Sequence, residues 1–483
     1  MRRMMAIVLL GLALGSCAWR GALKMDCADF AARVHPIEYT PLERQIRGLD
    51  LETLPPSDRA LAARLAAREI ARLRTDENYL RAQSGPRRAV LLLSGGGQWG
   101  AFGVGLMNKL AEERLFPDVA VVTGVSTGAL QSLFVGAGLD RPDAEGAAIR
   151  KALENAYSPV RESDIVDRES MQFLAALDGA LANLKPLKRR FEERICPRLY
   201  DPKSPEGRAG ICLIARLRDN PDRKVLLGMI EANSGDFGYV DVQELLAPYG
   251  DSDADLGKAT QCLAGAAIAS AAVPVFYQQV RVDGKTYYDG GVRQSVFLSS
   301  VVEARRQAAL LVRQERRRLL QERGLQPADT LAAPEPPPVY VIRNGPTALQ
   351  PDDNPPPGAR ARIDRNADAL NAAQRSEAIM VNQLEVGSIA ALRLNQPGGA
   401  IWFVSADGYQ NYTPTYDLHV RCGPLKTPRE AMFIPAFMRC MMDYGRNRAT
   451  GGEPWIDLCH YDGTETRTIC KRPGDAAPAR LMR

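Results

Sequence analysis

The chain has 483 residues, 45% of them hydrophobic and 25% charged, a balance that excludes wholesale disorder and fibrous structure. Lys+Arg 62 against Asp+Glu 57 leaves +5, too mild an excess, with no long Lys/Arg block, to argue for a nucleic-acid partner. Only three histidines occur (His35, His419 and His460), which excludes a His-rich metal site.

Arg2 and Arg3 give the N-terminus a positive start, and Ala6 to Leu14 is an apolar run too short to span a bilayer. It ends in Leu14-Gly15-Ser16-Cys17, which resembles the bacterial lipobox. The resemblance implies a lipoprotein signal peptide over residues 1–16 and lipidation of Cys17. It also implies membrane attachment through acyl chains, and Ala18 suggests, by analogy, the outer membrane facing the periplasm. No later run of ~20 apolar residues offers a membrane span. Without Cys17 eight cysteines remain, an even number that in an exported chain fits disulfides. Cys196 and Cys212 could close a local loop; the connectivity stays open.

Residues 17–85 read as a lipid-anchored spacer followed by an Ala/Arg/Leu-rich helix, Ser57 to Arg81, with Ser57 as its N-cap. From Arg88 the pattern changes. Ala89-Val90-Leu91-Leu92-Leu93 is an unbroken apolar run, expected of a parallel strand buried on both faces. Val119 to Val122 is a second, and Ala101 to Leu115 between them reads as the crossover helix of a βαβ unit. Further strands are expected at Val225–Ile230, Thr286–Tyr288, Val339–Ile342 and Ile401–Val404. Val301 to Arg323 is a long arginine-rich helix, read as a solvated charged face. Asp352 to Arg362 is a Pro/Gly/Arg-rich loop.

Three segments could carry chemistry. Gly124-Val125-Ser126-Thr127-Gly128 follows a strand and precedes a helix, the context of a nucleophile elbow. There the tight turn strains the serine, and Gly124 and Gly128 remove side chains that would clash. Ser94-Gly95-Gly96-Gly97-Gln98-Trp99-Gly100 ends the preceding strand and opens the crossover helix. Its bare amides and helix N-terminus can stabilise an oxyanion or cradle a phosphate. Gly95, Gly97 and Gly100 also satisfy the dinucleotide fingerprint, but that fold wants an acidic residue at the end of the next strand, where Thr123-Gly124 stand. Third, Tyr287-Tyr288-Asp289-Gly290-Gly291 holds an aspartate at a strand end, able to orient or deprotonate a serine.

In this order, and with Ala269 to Phe276 leading to the aspartate, the stretch from about Arg88 to Arg343 resembles the patatin-like phospholipase family. The resemblance implies a three-layer α/β/α fold with a mainly parallel central sheet over residues 86–345. Residues 346–483 would form a helical, Cys-containing extension ending in a flexible tail. It implies a Ser–Asp dyad, with Ser126 as nucleophile, Asp289 as proton acceptor and the Gly95, Gly96 and Gly97 amides as oxyanion hole. The implied activity is hydrolysis of fatty-acyl esters of phospholipids or related lipids, with no metal or diffusible cofactor. Two departures stand out. Trp99 occupies a place where the family often has Lys or Arg, and Ser295 and Phe297 replace the usual Asn and Pro after the aspartate. Other readings are a Ser–His–Asp esterase using His419 or His460, and a non-catalytic lipid-binding or scaffold lipoprotein on the same fold.

Overall fold

Strands β1 (Leu23–Met25) and β2 (Val34–Pro36) precede the first apolar run, which forms β3 (Ala89–Leu93) with all five residues buried. Further strands are β4 (Val119–Val125), β5 (Asp167–Arg168), β6 (Ala180–Asn183), β7 (Lys224–Glu231) and β8 (Phe237–Asp241). They continue as β9 (Val275–Tyr277), β10 (Val280–Val282), β11 (Lys285–Asp289), β12 (Val339–Ile342), β13 (Ile401–Val404) and β14 (Ile456–Asp457). In this computed structural model the described residues are 22–37, 45, 56–81, 88–168, 180–220, 222–325, 337–349, 369–395, 400–426, 432–450 and 454–458. The leader with Cys17, the Asp352–Arg362 loop, Cys459, His460 and Cys470 lie outside them.

Strands β5, β6 and β9 form a small sheet of their own, and the other eleven form one large sheet. Its centre, in the order β7-β4-β3-β12-β13, is parallel throughout. Antiparallel β8, β11 and β14 pair at its flanks. The main helices are α1 (Pro56–Thr75), α2 (Gly100–Glu112), α3 (Thr127–Ala137), α4 (Lys185–Ile195), α5 (Asp253–Ser270), α6 (Ser299–Glu322), α7 (Ala369–Asn395) and α8 (Pro435–Ala449).

Strand alternation divides the core into two layers. Leu91 and Leu93 of β3 pack with residues of α2, α3, α5 and α8, whereas Val90 and Leu92 pack with Leu61 of α1, Ala304 of α6 and Ile389 of α7. Each such buried aliphatic side chain contributes roughly 1.5–3 kcal/mol. The sheet thus lies between two helical layers, the three-layer α/β/α arrangement expected.

Other details differ from the sequence reading. The helix begins at Pro56, so Ser57 lies inside it rather than capping it. It also breaks at Asp76, whose Oδ1 accepts the Tyr79 N–H at 3.0 Å and starts a separate short helix, Glu77–Arg81. An aspartate can bind a backbone amide in this way and interrupt helical continuity. The stretch expected to be spacer supplies β1, parallel to β10, and β2, antiparallel to β8. Beyond residue 345, the expected strand Ile401–Val404 forms β13, and β14, which was not expected, extends the same sheet. Three-residue strands take their conformation from the edge they join, so they carry no periodicity of their own.

Three disulfides are described. Cys196–Cys212 closes the local loop, Cys27–Cys262 fastens the N-terminal segment to α5, and Cys422–Cys440 fastens a loop to α8. No helix among the described residues is long and apolar enough to cross a membrane.

Candidate active site

β4 ends at Val125, and Ser126 turns the chain into α3 with φ 56° and ψ −125°. Non-glycine residues adopt such angles only when their surroundings hold them there. Here α5 does the holding. The Ser126 N–H donates to the Ser270 carbonyl (3.1 Å) and hydroxyl (3.0 Å), and that hydroxyl donates to Gly228 O of β7 (2.5 Å). A Cβ on Gly124 would lie 2.3 Å from Gly128 O, and one on Gly128 would lie 2.2 Å from Leu93 O. The turn closes only with glycine at both positions.

The same strand, β7, positions Asp289. Val125 pairs with Gly228 and Asp289 with Met229, both along one edge of β7, because β8 occupies the other edge at these two positions. β4 and β11 therefore meet end to end, which brings Ser126 and Asp289 together. Asp289 is fixed by its N–H donating to Ala272 O (3.0 Å) and by Oδ1 accepting the Gly291 N–H (2.7 Å). Its Oδ2 is buried with no hydrogen bond of ordinary geometry among the described residues. Burial pushes the Asp289 pKa up to about 7; the nearby Ser126 hydroxyl and the Gly291 N–H oppose that rise, and the charge of Glu385 adds to it. A carboxylate poised near neutrality can take a proton from a serine hydroxyl and return it.

The glycine loop lies against the serine: a Cβ on Gly95 would stand 3.3 Å from Ser126 Cβ. Gly96 has φ +138°, and a Cβ there would meet Asn344 O at 1.8 Å. Asn344, just after β12, clamps the loop by donating its N–H to Ser94 Oγ (3.0 Å) and its Nδ2 to Ser94 O (2.8 Å). Among the described residues the Gly96 and Gly97 amides have no acceptor and are open to a ligand. The Gly95 amide differs from its neighbours. Its N–H donates to Ser295 Oγ at 3.2 Å, which ties the amide into the protein.

Ser295 opens a network that sequence reasoning missed. Its hydroxyl donates to Glu385 Oε1 of α7 (2.7 Å), and Glu385 Oε2 pairs with Arg343 Nη2 (2.9 Å), both ends of the pair being nearly inaccessible. Burial pushes the Glu385 pKa up, while Arg343, Ser295 and Ser94 pull it back. A lone glutamate in a polar helix carries no motif, and only the fold joins it to Ser295, 90 residues away.

The two departures also receive places. Trp99 packs edge-on against Tyr409 (4.7 Å between centroids) and Phe437 (4.9 Å), and Lys426 Nζ lies 4.9 Å from its ring centroid. Lys426 also lines the cavity that holds Ser126. Phe297 is core: it packs on Phe237 and Tyr239, and its carbonyl accepts from Thr123 Oγ1 at 3.2 Å. His35 sits on β2, bonded to Glu244 at 3.0 Å, and His419 is exposed. Neither lines the cavity that holds Ser126.

That cavity, of about 1300 Å³, contains Ser126, Asp289 and the three loop glycines. Leu130, Phe134, Leu187 and Phe191 give it an apolar wall able to take a hydrocarbon chain. Among the described residues no three His, Cys, Asp or Glu side chains converge to hold a metal ion.

The strained Ser126 thus sits on a strand-to-helix turn beside the buried Asp289 carboxyl, inside an α/β/α fold. Residues 91–302 match the family model described as patatin-like phospholipase, so this part of the chain is similar to that family of lipid hydrolases. The match contains Ser126, Asp289 and the glycine loop. The crystal structure of VipD from Legionella pneumophila is similar over 74% of this chain and 67% of its own, at 13% identity and a TM-score of 0.30, too distant to carry an argument. No curated protein matches the chain.

Proposed function

We propose that the chain is a serine acyl hydrolase that cleaves fatty-acyl ester bonds of phospholipids or related lipids through Ser126 and Asp289. The observation that carries this reading is the pairing along β7, which sets the strained serine beside a buried carboxyl with one oxygen unpaired. Ser126 Oγ attacks the ester carbonyl carbon as its proton passes to Asp289. The Gly96 and Gly97 amides receive the negative charge on the carbonyl oxygen. Collapse breaks the C–O bond and the alcohol leaves with the proton from Asp289; water then attacks the acyl-serine with Asp289 again as base, and cleavage of the acyl C–Oγ bond releases the fatty acid as the proton returns to Ser126. Incubating the full chain with mixed phospholipids and short acyl esters tests this. Release of fatty acid that disappears in Ser126→Ala supports it, and release that persists contradicts it.

The leader supports a place for this chemistry. We propose that Cys17 is lipidated and holds the mature chain at the cell envelope, at the outer membrane facing the periplasm. Cys17→Ser should then leave unprocessed precursor in cells, while unchanged processing and detergent partitioning would contradict the anchor.

A further inference from the structure

Helix α4 shows the cavity two stripes, each an i, i+4 pair: apolar Leu187 and Phe191, and basic Arg190 and Arg194. Among the described residues neither guanidinium forms an ion pair, and Arg194 Nε is buried without an acceptor. Arg190 is anchored: its Nε donates to Ala156 O at 2.9 Å and its Nη2 to Asn155 O. Next to Ala156, the Tyr157 hydroxyl donates to Thr127 O (2.9 Å) and meets Thr127 Oγ1 (2.6 Å). Thr127 follows Ser126, and Arg190, Arg194 and Ser126 all line the one cavity.

The nearby carboxylates are occupied elsewhere. Asp164 accepts the Val160 and Arg161 amides at 2.8 and 3.0 Å, and Glu193 faces Arg189 at 3.8 Å. Burial and then the charge of Arg194 lower the Arg190 pKa, and the charges of Asp164 and Glu193 offset this only in part.

We infer that Arg190 and Arg194 form a subsite for the phosphate of an anionic phospholipid, beside the Leu187 and Phe191 stripe that takes an acyl chain. Guanidinium forks match phosphate oxygens, and the helix thereby presents an amphiphile's two halves with their complements. A zwitterionic headgroup brings its own cation toward this pair and is disfavoured. The inference rests on the acyl-hydrolase reading for the identity of the ligand, and its test separates the two.

The full chain carrying Ser126→Ala is titrated calorimetrically with short-chain phosphatidylglycerol, short-chain phosphatidylcholine and inorganic phosphate. Phosphatidylglycerol should bind roughly tenfold tighter than either. Adding Arg194→Gln should bring the two lipids toward equal affinity, and Arg194→Glu should reverse the order. Arg189→Gln, an exposed change on the same helix outside the cavity, should leave the ratio intact. With active protein, the ratio of kcat/KM on the two lipids should follow the binding ratio. Equal affinity for both lipids overturns the subsite, as does a preference that survives Arg194→Glu. Inorganic phosphate binding as tightly as phosphatidylglycerol overturns its assignment to lipid. Selective binding without any Ser126-dependent hydrolysis would contradict the catalytic reading and leave the subsite standing.

Discussion

In the proposed mechanism Asp289 has to be ionised to accept the Ser126 proton, and burial holds its pKa up to about 7. The acid limb of kcat/KM should therefore have an apparent pKa near 7, well above that of an ordinary carboxylate; a limb near 4 would show that another group is the base. The same shift carries a stability cost. The folded state binds this proton more tightly than the unfolded chain, so the stability linked to it is fully present below about pH 4 and is lost as pH rises through about 7. Asp289→Asn should remove activity yet raise the melting temperature relative to wild type, with a gain that grows from about pH 5 to about pH 8 by at most ~3 kcal/mol. A uniform destabilisation across this range would contradict the burial argument. Glu385 reaches the centre through Ser295, Ser94 and charge. Glu385→Gln removes a negative charge near Asp289 and frees Arg343 from its partner, two changes of the same sign, so the acid limb should move to lower pH. An unmoved limb would make the network purely structural.

The Ser270 hydroxyl joins three elements, accepting from Ser126 at the start of α3 and donating to Gly228 of β7 from the end of α5. Ser270→Ala strips the buried Gly228 carbonyl of that donor and loosens a turn held in a strained conformation. It should cost about 1–3 kcal/mol of stability and lower kcat more than it changes KM. A loss confined to KM would contradict a positioning role. At this scale the sequence was informative where burial is complete. The apolar runs of β3, β4, β12 and β13 were legible because strands covered on both faces need no polar alternation. The elbow and the glycine loop were legible because steric closure allows few residues there. β1, β2 and β10 were not, since three residues carry no period, and the Asp76 break was not, because its cause is one side chain's choice of amide. The Ser295–Glu385–Arg343 link was illegible for a different reason: helix α7 reaches the loop only through the fold.

Across the whole molecule, the N-terminal segment is bound at two levels, by the pairing of β1 with β10 and by Cys27–Cys262, which spans 235 residues. A link across so long a stretch restricts the unfolded chain strongly, so Cys27→Ser with Cys262→Ser should cost about 2–5 kcal/mol, read as a lower denaturation midpoint. No change in the midpoint would mean that β1 pairing alone secures the segment. The proposed catalytic pair depends on that large sheet, because β4 and β11 meet only where β7 gives both an edge. The measurement that bears most directly on the pair is kcat/KM for acyl-ester hydrolysis by Ser126→Ala, Asp289→Asn and the double variant. Both single changes should reduce it by about a thousandfold or more, and the double variant should be no worse than either, as expected of groups acting as one unit. Asp289→Asn retaining activity within about tenfold of wild type, while Ser126→Ala is inactive, would mean that the serine draws its base from elsewhere.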